Sequence, residues 1–235
     1  MECDIVIRAA RPQDKQARAE LIEQGITSYD GEAIIFFILQ ELMLQVCVLL
    51  GAVLFIFVGA GPGGVALVPP ALAVLAAISV LTTHRFQAQS QAARIRREEV
   101  GFVAEYRGPL GTDPRVLRPR FVEDEAKSGV RARLIGTVSV SRFRGARRSG
   151  WLHGLAVEAR WRRKGVGGAL LSAARAHATG ARLESLELAA SALQARARAL
   201  LHSHGWELRG TYHRRLLGAA LTLPMWQLGL ELPAA

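Results

Sequence analysis

The sequence predicts an α+β domain in which a mixed, mostly antiparallel sheet is flanked by helices and two apolar helices are inserted near its start. Two observations lead to this prediction. Strand-like and amphipathic segments follow one another in the order strand, helix, three strands, helix, strand, helix, strand, strand. In addition, residues 42–84 contain no Lys, Arg, Asp or Glu, and they separate the first strand and helix from all later elements.

The first two elements are a strand and a helix. Residues 4–8 form a short β-branched run between polar ends, which predicts a strand. Residues 12–24 predict a helix, because Pro12 lies near its first turn and its apolar residues fall on one face. We expect Gly25 to end this helix.

The apolar insertion contains two runs, residues 33–58 and 65–82, joined by six residues of which four are glycine. Each run is close to the ~20 residues that a membrane-spanning helix requires. We therefore predict a membrane hairpin over 33–82, between an N-terminal part of the domain (1–32) and its remainder (83–235). A buried apolar helix pair and a re-entrant hairpin stay open, because polar residues and prolines interrupt the runs. These residues are Gln40, Glu41, Gln45, Pro69 and Pro70.

The charge distribution predicts the orientation of this hairpin. The net charge is +10, and basic residues lie on both sides of the insertion but not in the joint. They are Arg8, Arg11, Lys15 and Arg18 before it, and Arg85, Arg94, Arg96 and Arg97 after it. Because positive residues stay on the cytosolic side, both flanks are expected in the cytosol. The basic excess fits membrane lipid, a nucleic acid or a merely solvated face.

The remaining elements follow the insertion. A basic helix over 84–100 and a strand over 101–106 come first, and a proline-rich and charge-rich long loop over 107–133 follows. The later predictions are strands 132–141 and 149–157, helix 168–179, strand 183–189, helix 192–204 ended by Gly205, and strands near Tyr212 and over 221–232. With only Cys3 and Cys47, the chain shows no disulfide framework.

A basic, glycine-rich turn joins the strand 149–157 to the next helix. It consists of Arg162, Arg163, Lys164, Gly165, Val166, Gly167 and Gly168. Glycines let the backbone curl so that successive N–H groups point at an anion, and the start of the helix adds its positive dipole end. The turn therefore predicts a phosphate site, although ordinary turns also combine Gly and Arg.

These features resemble the GNAT superfamily of N-acetyltransferases, and within it the camello-like membrane acetyltransferases. Residues 155–157 followed by 162–167 are similar to the acetyl-CoA motif, and residues 186–194 are similar to the camello strand-to-helix segment. Gly205 and Trp206 resemble the glycine and the aromatic residue that close the family's pattern. The resemblance implies a sheet that splays open to admit acetyl-CoA as co-substrate.

The resemblance also implies roles for cofactor-binding residues. The backbone of Leu155, Ala156 and Val157 would pair with the pantetheine arm. The N–H groups from Arg163 to Gly168, through Lys164, Gly165, Val166 and Gly167, would bind the pyrophosphate, with Arg162 supporting the turn. Either Arg163 or Lys164 would add positive charge. Gln194 fits its place in the family's pattern as a cofactor-site residue.

Candidate catalytic residues are fewer. An amine acceptor needs a base, and a departing thiolate usually needs an acid. His153 lies two residues before Leu155, which predicts that both share a face, and it resembles a proton-relay histidine; Glu158 is a weaker candidate. The family's usual acid is a tyrosine, whose position is Leu201 here. Water, Ser203 or Tyr212 would then protonate the thiolate.

The resemblance implies a membrane-anchored N-acetyltransferase that transfers acetyl from acetyl-CoA to a primary amine of a small molecule, peptide or protein. Its catalytic domain would face the cytosol from the endoplasmic reticulum or another endomembrane. The alternative is a weakly active or non-catalytic protein of this fold with a regulatory or nucleic-acid-binding role, which Leu201 and the net charge keep open. The sequence contains no zinc-ligand spacing and predicts no metal site.

Overall fold

One sheet of eight strands organises the chain, in the order β3-β1-β2-β4-β5-β6-β8-β7. The computed structural model describes residues 2–108, 114, 117–122, 132–143, 148–217 and 221–233. The strands are β1 (Glu2–Ala9), β2 (Val100–Arg107), β3 (Arg118–Val122), β4 (Ala132–Arg142), β5 (Ser149–Val157), β6 (Ser185–Ser191), β7 (Glu207–Leu217) and β8 (Leu221–Glu231). The helices are α1 (Lys15–Thr27), α2 (Asp30–Ile38), α3 (Glu41–Phe57), α4 (Pro62–Val65), α5 (Val68–Ala93), α6 (Val166–Gly180) and α7 (Ala195–Ser203).

The pairing confirms a mixed, mostly antiparallel sheet. Only β1 with β3 and β5 with β6 run parallel, and the other neighbouring strands are antiparallel. The long loop predicted over 107–133 is wrong in part, because β3 lies within it and pairs with β1. Pro119 is acceptable there since β3 is an edge strand, where one missing donor costs little. The acidic cluster 123–125 lies outside the described residues.

Two glycines predicted to end helices have different roles. Gly205 follows α7 with φ = 81°, which confirms it as a helix terminator. Gly25 does not end α1, which continues to Thr27. A Cβ at Gly25 would lie 3.3 Å from the Ala156 Cβ. Gly25 therefore allows close packing of α1 on β5 rather than ending the helix.

The two faces of the sheet are covered by different helices. The α6 face, which includes Ile135, Val138 and Leu152, packs on the buried side of α6 through Leu170 and Ala174. The opposite α1 face is covered by α1 over β4 and β5, where Leu21 and Ile22 pack with Ala156. Farther along this face, α2 packs against β8.

The apolar insertion differs from the two uninterrupted helices predicted. The run 33–58 is broken between α2 and α3, because Gln40 has an extended backbone (φ −67°, ψ 137°) where α3 begins. Its first part packs on the domain, with Ala33 and Phe37 buried against Leu223 and Met225 of β8. The second run becomes α5, which starts at Val68 and continues past residue 82 to Ala93.

In the described part of the chain, one helical segment, Pro62–Ala93, has the length and composition to cross a membrane, and 17% of its most apolar window is buried. The segments Pro12–Ile38 and Glu41–Phe57 meet that criterion only together, and they are bent by 54° at their break. This is weak support for a membrane hairpin, since core helices of soluble proteins also satisfy it.

Candidate functional site

The site lies where β5 separates from β6. The two strands pair only from Ser149 opposite Ser185 to Trp151 opposite Glu187. The rest of β5, to Val157, continues beside β4. Among the described strands, nothing pairs with the other edge of residues 155–157. This confirms a sheet that splays open at this strand and leaves a backbone edge that an extended ligand could pair with.

The glycine-rich turn that follows β5 has the backbone geometry of an anion site. Gly165 precedes the first residue of α6 with φ = 81°, and Arg163 has φ = 64°. Ala169 donates its N–H to the Gly165 carbonyl, at 3.0 Å, as the first intrahelical bond. The N–H groups of the first turn, at Val166, Gly167 and Gly168, therefore have no carbonyl within the helix and point toward its N-terminal side.

Two basic side chains of the turn hold the backbone. Arg162 Nε donates to the Val157 carbonyl at 3.1 Å, and its guanidinium also contacts Ser28 Oγ at 3.1 Å. Arg162 therefore supports the turn, as the resemblance implied. Lys164 Nζ donates to the Leu117 carbonyl at 2.7 Å, which ties the turn to the segment before β3. The exposed Arg163 side chain is the better placed of the two predicted cations to meet an anion.

The first turn of α6 packs against α7 without space for larger side chains. A Cβ at Gly167 would lie 2.9 Å from Leu200 Cδ2, and one at Gly168 would lie 2.8 Å from His204 Nε2. Gly165, in contrast, opens outward, and Phe121 is the side chain near it among the residues that the structure describes. Free N–H groups, a positive helix end and adjacent arginines fit the diphosphate of a coenzyme A derivative.

A bulge on β5 separates His153 from Leu155. Thr137 pairs with Ala156 and Ser139 with His153, so Gly154 and Leu155 together oppose one β4 residue. Gly154 has φ = 63°, and a Cβ there would face Ile22 and Ser139 on the α1 face. Leu155 packs on the α6 face. The prediction that His153 and Leu155 share a face is wrong, because the extra residue shifts the alternation.

His153 lies in a largely buried polar setting on the α1 face. Its Nε2 is 2.8 Å from Ser141 Oγ, and its Nδ1 is buried and has no hydrogen-bond partner among the described residues. Burial lowers the pKa of His153 from 6.5 to about 4; the Glu98 charge opposes this, and those of Arg94 and Arg18 reinforce it. The ring is therefore neutral at pH 7, and Nδ1 has the free lone pair in the tautomer whose Nε2–H donates to Ser141 Oγ.

Beside His153, Arg18 of α1 lies almost fully buried, at 1% exposure. Its guanidinium pairs with both carboxylate oxygens of Glu98 and donates to Thr137 Oγ1 at 2.9 Å and Ser139 Oγ at 3.0 Å. A Cβ at Gly101 would collide with this guanidinium. The sequence suggested only a basic membrane flank for Arg18, whereas the structure places it in an ion pair with Glu98, next to two buried hydroxyls of β4.

The other predicted acid–base residues lie in less favourable places. Ser203 is exposed, and its hydroxyl donates to the Leu200 carbonyl at 2.8 Å. Tyr212 is 44% exposed on β7, with β8 and β6 between it and β5, a distance of about 14 Å or more. Tyr212 therefore does not reach the splay, and the Ser203 hydroxyl is bonded within α7. Leu201 is buried in the core, so nothing at its position replaces the expected hydroxyl.

Two further candidates form local contacts. Gln194 Oε1 accepts the Ser191 N–H at 3.1 Å, so it stabilises the turn before α7. Glu158 Oε1 accepts from Arg133 at 3.0 Å, and its other oxygen is buried without a partner among the described residues.

Sequence reasoning missed Ser141 and Phe121. An alternation of Thr137, Ser139 and Ser141 along β4 was the available signal for Ser141, and nothing local pointed to Phe121.

Comparison with known proteins agrees with this geometry. Residues 103–206 match the model of the acetyltransferase (GNAT) family. An N-acetyltransferase from Staphylococcus aureus Mu50 is 14% identical, with a TM-score of 0.52 over 97% of this chain and 99% of that chain. The yncA protein from Salmonella typhimurium, solved with its cofactor acetyl-CoA, is 14% identical, with a TM-score of 0.51 over 98% and 95% of the two chains. No curated protein matched the sequence.

Proposed function

We propose, starting from the match of residues 103–206 to the GNAT acetyltransferase family, that this chain is a membrane-anchored enzyme acetylating a primary amine. The acetyl donor is acetyl-CoA, and the acceptor is a small molecule, peptide or protein amine at the cytosolic face of an endomembrane. The observation that supports this function best is the free N-terminal turn of α6, directly after the unpaired edge of β5.

Acetyl-CoA supplies a thioester whose acyl carbon an amine can attack. The N–H groups of Val166, Gly167 and Gly168 would hold its diphosphate, and the edge of residues 155–157 would hold the arm by strand-like pairing. Leu200 and Val157 close the apolar side of this path. Binding therefore depends on backbone groups, which explains why the turn needs glycines rather than particular side chains.

We assign His153 the role of proton acceptor from the incoming ammonium, directly or through water. This role requires the tautomer in which His153 Nε2–H donates to Ser141 Oγ, because the Nδ1 lone pair is then free. The ring is neutral over the whole neutral range because its pKa is lowered to about 4 by burial. Because Leu201 offers no hydroxyl, the thiolate would be protonated by water.

The cofactor assignment is tested by a charge change at Gly165. Gly165→Asp places a carboxylate beside the diphosphate. Gly165→Asn has the same shape without the charge, and both Asp and Asn tolerate the positive φ of this position. We expect Asp to weaken acetyl-CoA binding, measured by calorimetry, at least 10-fold more than Asn does. Equal affinities for the two variants would contradict the phosphate site.

The catalytic assignment is tested by thiol release from acetyl-CoA across several amine classes. General-base removal typically costs 10²–10⁴-fold, so His153→Ala should lower kcat by about 100-fold with little change in acetyl-CoA affinity. Full activity of the variant would exclude His153 as the base. Saturable thiol release with no amine class, together with strongly salt-dependent DNA binding, would favour the non-catalytic alternative.

The proposal of a membrane anchor depends on the outer surfaces of α3 and α5. Large apolar side chains are exposed there: Leu42, Leu44, Val46, Val48, Leu49, Leu50, Val53, Phe55, Ile56 and Phe57 on α3, and Val74, Leu75, Ile78 and Phe86 on α5. A contiguous apolar surface of this size is unusual on a soluble monomer. The basic flanks at Arg85 and Arg94 suit an anionic leaflet.

Liposome flotation tests this anchor. Lysine substitutions at Val48, Phe55 and Phe57, which are 73%, 59% and 80% exposed, should abolish flotation and leave acetyl-CoA affinity unchanged. Lysine at three exposed positions of β7 and α7, namely Leu208, His202 and Ser203, is the matched control. Unchanged flotation of the α3 variant would contradict the membrane anchor while leaving the acetyltransferase assignment intact.

A further inference from the structure

We propose that Phe121 is a stacking platform for the adenine ring of acetyl-CoA. This inference rests on the proposed function and deepens it, since it assigns a residue to the nucleotide end of the cofactor. The proposal starts from an exposed aromatic side chain beside the phosphate turn. It lies on β3, the strand that sequence patterns did not predict.

The position of Phe121 is determined by β3. Phe121 pairs with Ile5 of β1, whose side chain is buried on the α6 face, so the phenyl ring projects toward the side that contains α6. Two ring atoms lie 3.5 and 3.6 Å from the place where a Cβ of Gly165 would be. The ring is thus adjacent to the residue that precedes the free N–H groups of the helix.

Phe121 is also held at this distance from the turn by a polar contact. Lys164 Nζ donates to the Leu117 carbonyl, which joins the phosphate turn to the start of β3. Cys3 contacts the Arg118 carbonyl, at 3.6 Å, on the β1 side. The strand and the turn are therefore one local assembly, and the ring does not depend on a free loop for its placement.

Exposure of this ring calls for an explanation. Phe121 is 44% exposed. Among the described strand residues, Leu208 and Tyr212 are the other large hydrophobic side chains with comparable exposure, and the remaining ones are at least partly buried. The diphosphate of coenzyme A is joined to the adenine by one ribose. A diphosphate at the start of α6 would therefore bring the base within reach of surfaces next to Gly165.

The charges near the ring fit the same ligand. Arg163 is exposed two residues before Gly165, and Arg160 is exposed just before the turn. The adenosine of coenzyme A has a 3′-phosphate in addition to its diphosphate, so a flat apolar ring flanked by arginines matches a base flanked by phosphates. Base stacking on aromatic side chains is common at such surfaces.

The experiment compares two ligands that differ only at the nucleotide end. Acetyl-CoA contains the adenine, whereas S-acetyl-4′-phosphopantetheine keeps the arm and one phosphate and lacks the base. We expect Phe121→Ala to weaken acetyl-CoA binding by the full chain in detergent, measured by calorimetry, roughly 5- to 100-fold. The same variant should bind the truncated ligand as the unchanged protein does.

Two further variants complete the comparison. Phe121→Tyr keeps the π face and should retain acetyl-CoA affinity, whereas Phe121→Leu keeps apolar bulk without it and should resemble Phe121→Ala. Leu208→Ala, at an exposed apolar position on the opposite edge strand β7, is the control and should change neither affinity.

Three outcomes overturn the inference. Unchanged acetyl-CoA affinity in Phe121→Ala removes the platform, and an equal loss for both ligands shows that the ring only supports the turn. Both results leave the proposed function standing. If the unchanged protein binds neither ligand, the proposed function fails, and the platform fails with it.

Discussion

The two faces of the central sheet bury different kinds of side chain. The α6 face is an apolar core in which Ile135, Val138 and Leu152 meet Leu170 of α6. The α1 face has a charged and hydroxylated cluster over β4, in which Arg18, Thr137 and Ser139 are buried and Glu98, Ser141 and His153 are half-buried. The first face is stabilised by packing, and the second depends on each polar group having its partner.

This difference separates the two halves of the proposed chemistry. The proposed cofactor site consists of backbone groups at the start of α6, which the apolar packing positions. The proposed base, His153, lies among side chains contributed by α1, β4 and the segment before β2. Changes on the α6 face should therefore act through shape and cofactor affinity, while changes on the α1 face should act through charge.

Breaking the ion pair of the α1 face should have the largest effect on stability. Arg18→Met leaves Glu98 and two buried hydroxyls without their cation, and breaking a buried pair typically costs about 3–5 kcal/mol. We expect a loss of that size in the free energy of unfolding, measured with urea in detergent. Arg209→Met, which removes a half-exposed pair with Glu231, should cost about 0–1 kcal/mol. Similar losses of stability in Arg18→Met and Arg209→Met would contradict the claim that the α1 face depends on its buried ion pair.

The pH dependence of stability should show the next largest effect. The pKa of His153 is about 4 in the folded protein, lowered by burial, against 6.5 as its ordinary value. Between these values the unfolded chain binds the proton and the folded chain does not. Stability is therefore complete above pH 6.5 and falls toward pH 4, by on the order of 3 kcal/mol.

His153→Gln should remove this slope, whereas His202→Gln, at an exposed position of α7, should keep it. Asp14 and Glu105 add a loss of their own at the acid end of this range. Burial opposes their ionisation, but hydrogen bonds from arginines, Arg8 for both and also Arg107 for Glu105, outweigh it and lower the pKa of each carboxyl. Their contribution is complete above their ordinary pKa values of 3.8 and 4.5 and is lost as the pH falls through and below these values, so the slope that belongs to His153 is measured between about pH 5 and pH 6.5. A slope that survives in His153→Gln would show that another group causes it.

Overpacking the α6 face should have the smallest effect of the three. A Cβ at Gly136 would lie 2.9 Å from Leu170 Cδ1 and 3.2 Å from Val166 Cγ1. Gly136→Ala should cost about 1–3 kcal/mol and also weaken acetyl-CoA binding, because Val166 begins the anion-binding turn. Gly180→Ala, at the end of α6 with open space, should instead stabilise by about 0.4–1 kcal/mol. Destabilisation by both variants would show that α6 tolerates no added methyl.

Much of the α6 face could be predicted from the sequence, because its elements depend on neighbouring residues. The strand before the turn, the glycines from Gly165 to Gly168 and the start of α6 lie within one short segment. Gly205 likewise ends α7 through its own positive φ. The role of Arg162 as a support for the turn also depends on a contact only five residues away.

The α1 face could not be predicted in the same way. Arg18 reaches Thr137 and Ser139 across 119 and 121 residues, and no local pattern shows which strand an arginine will meet. The bulge at Gly154 moved Leu155 to the other face, which alternation alone cannot anticipate. β3 formed because β1 offered it a free edge, although its own sequence includes a proline and two arginines.

The amino-acid sequence by itself determined the order of the main elements, the glycine-rich turn and the apolar composition of the insertion, since each depends on propensity and periodicity over a few residues. Only the tertiary structure decided that α2 packs on β8, that His153 lies half-buried beside an ion pair and that Phe121 lies against Gly165. These features require segments that are distant in the chain to meet, and such contacts depend on the packing of the whole fold.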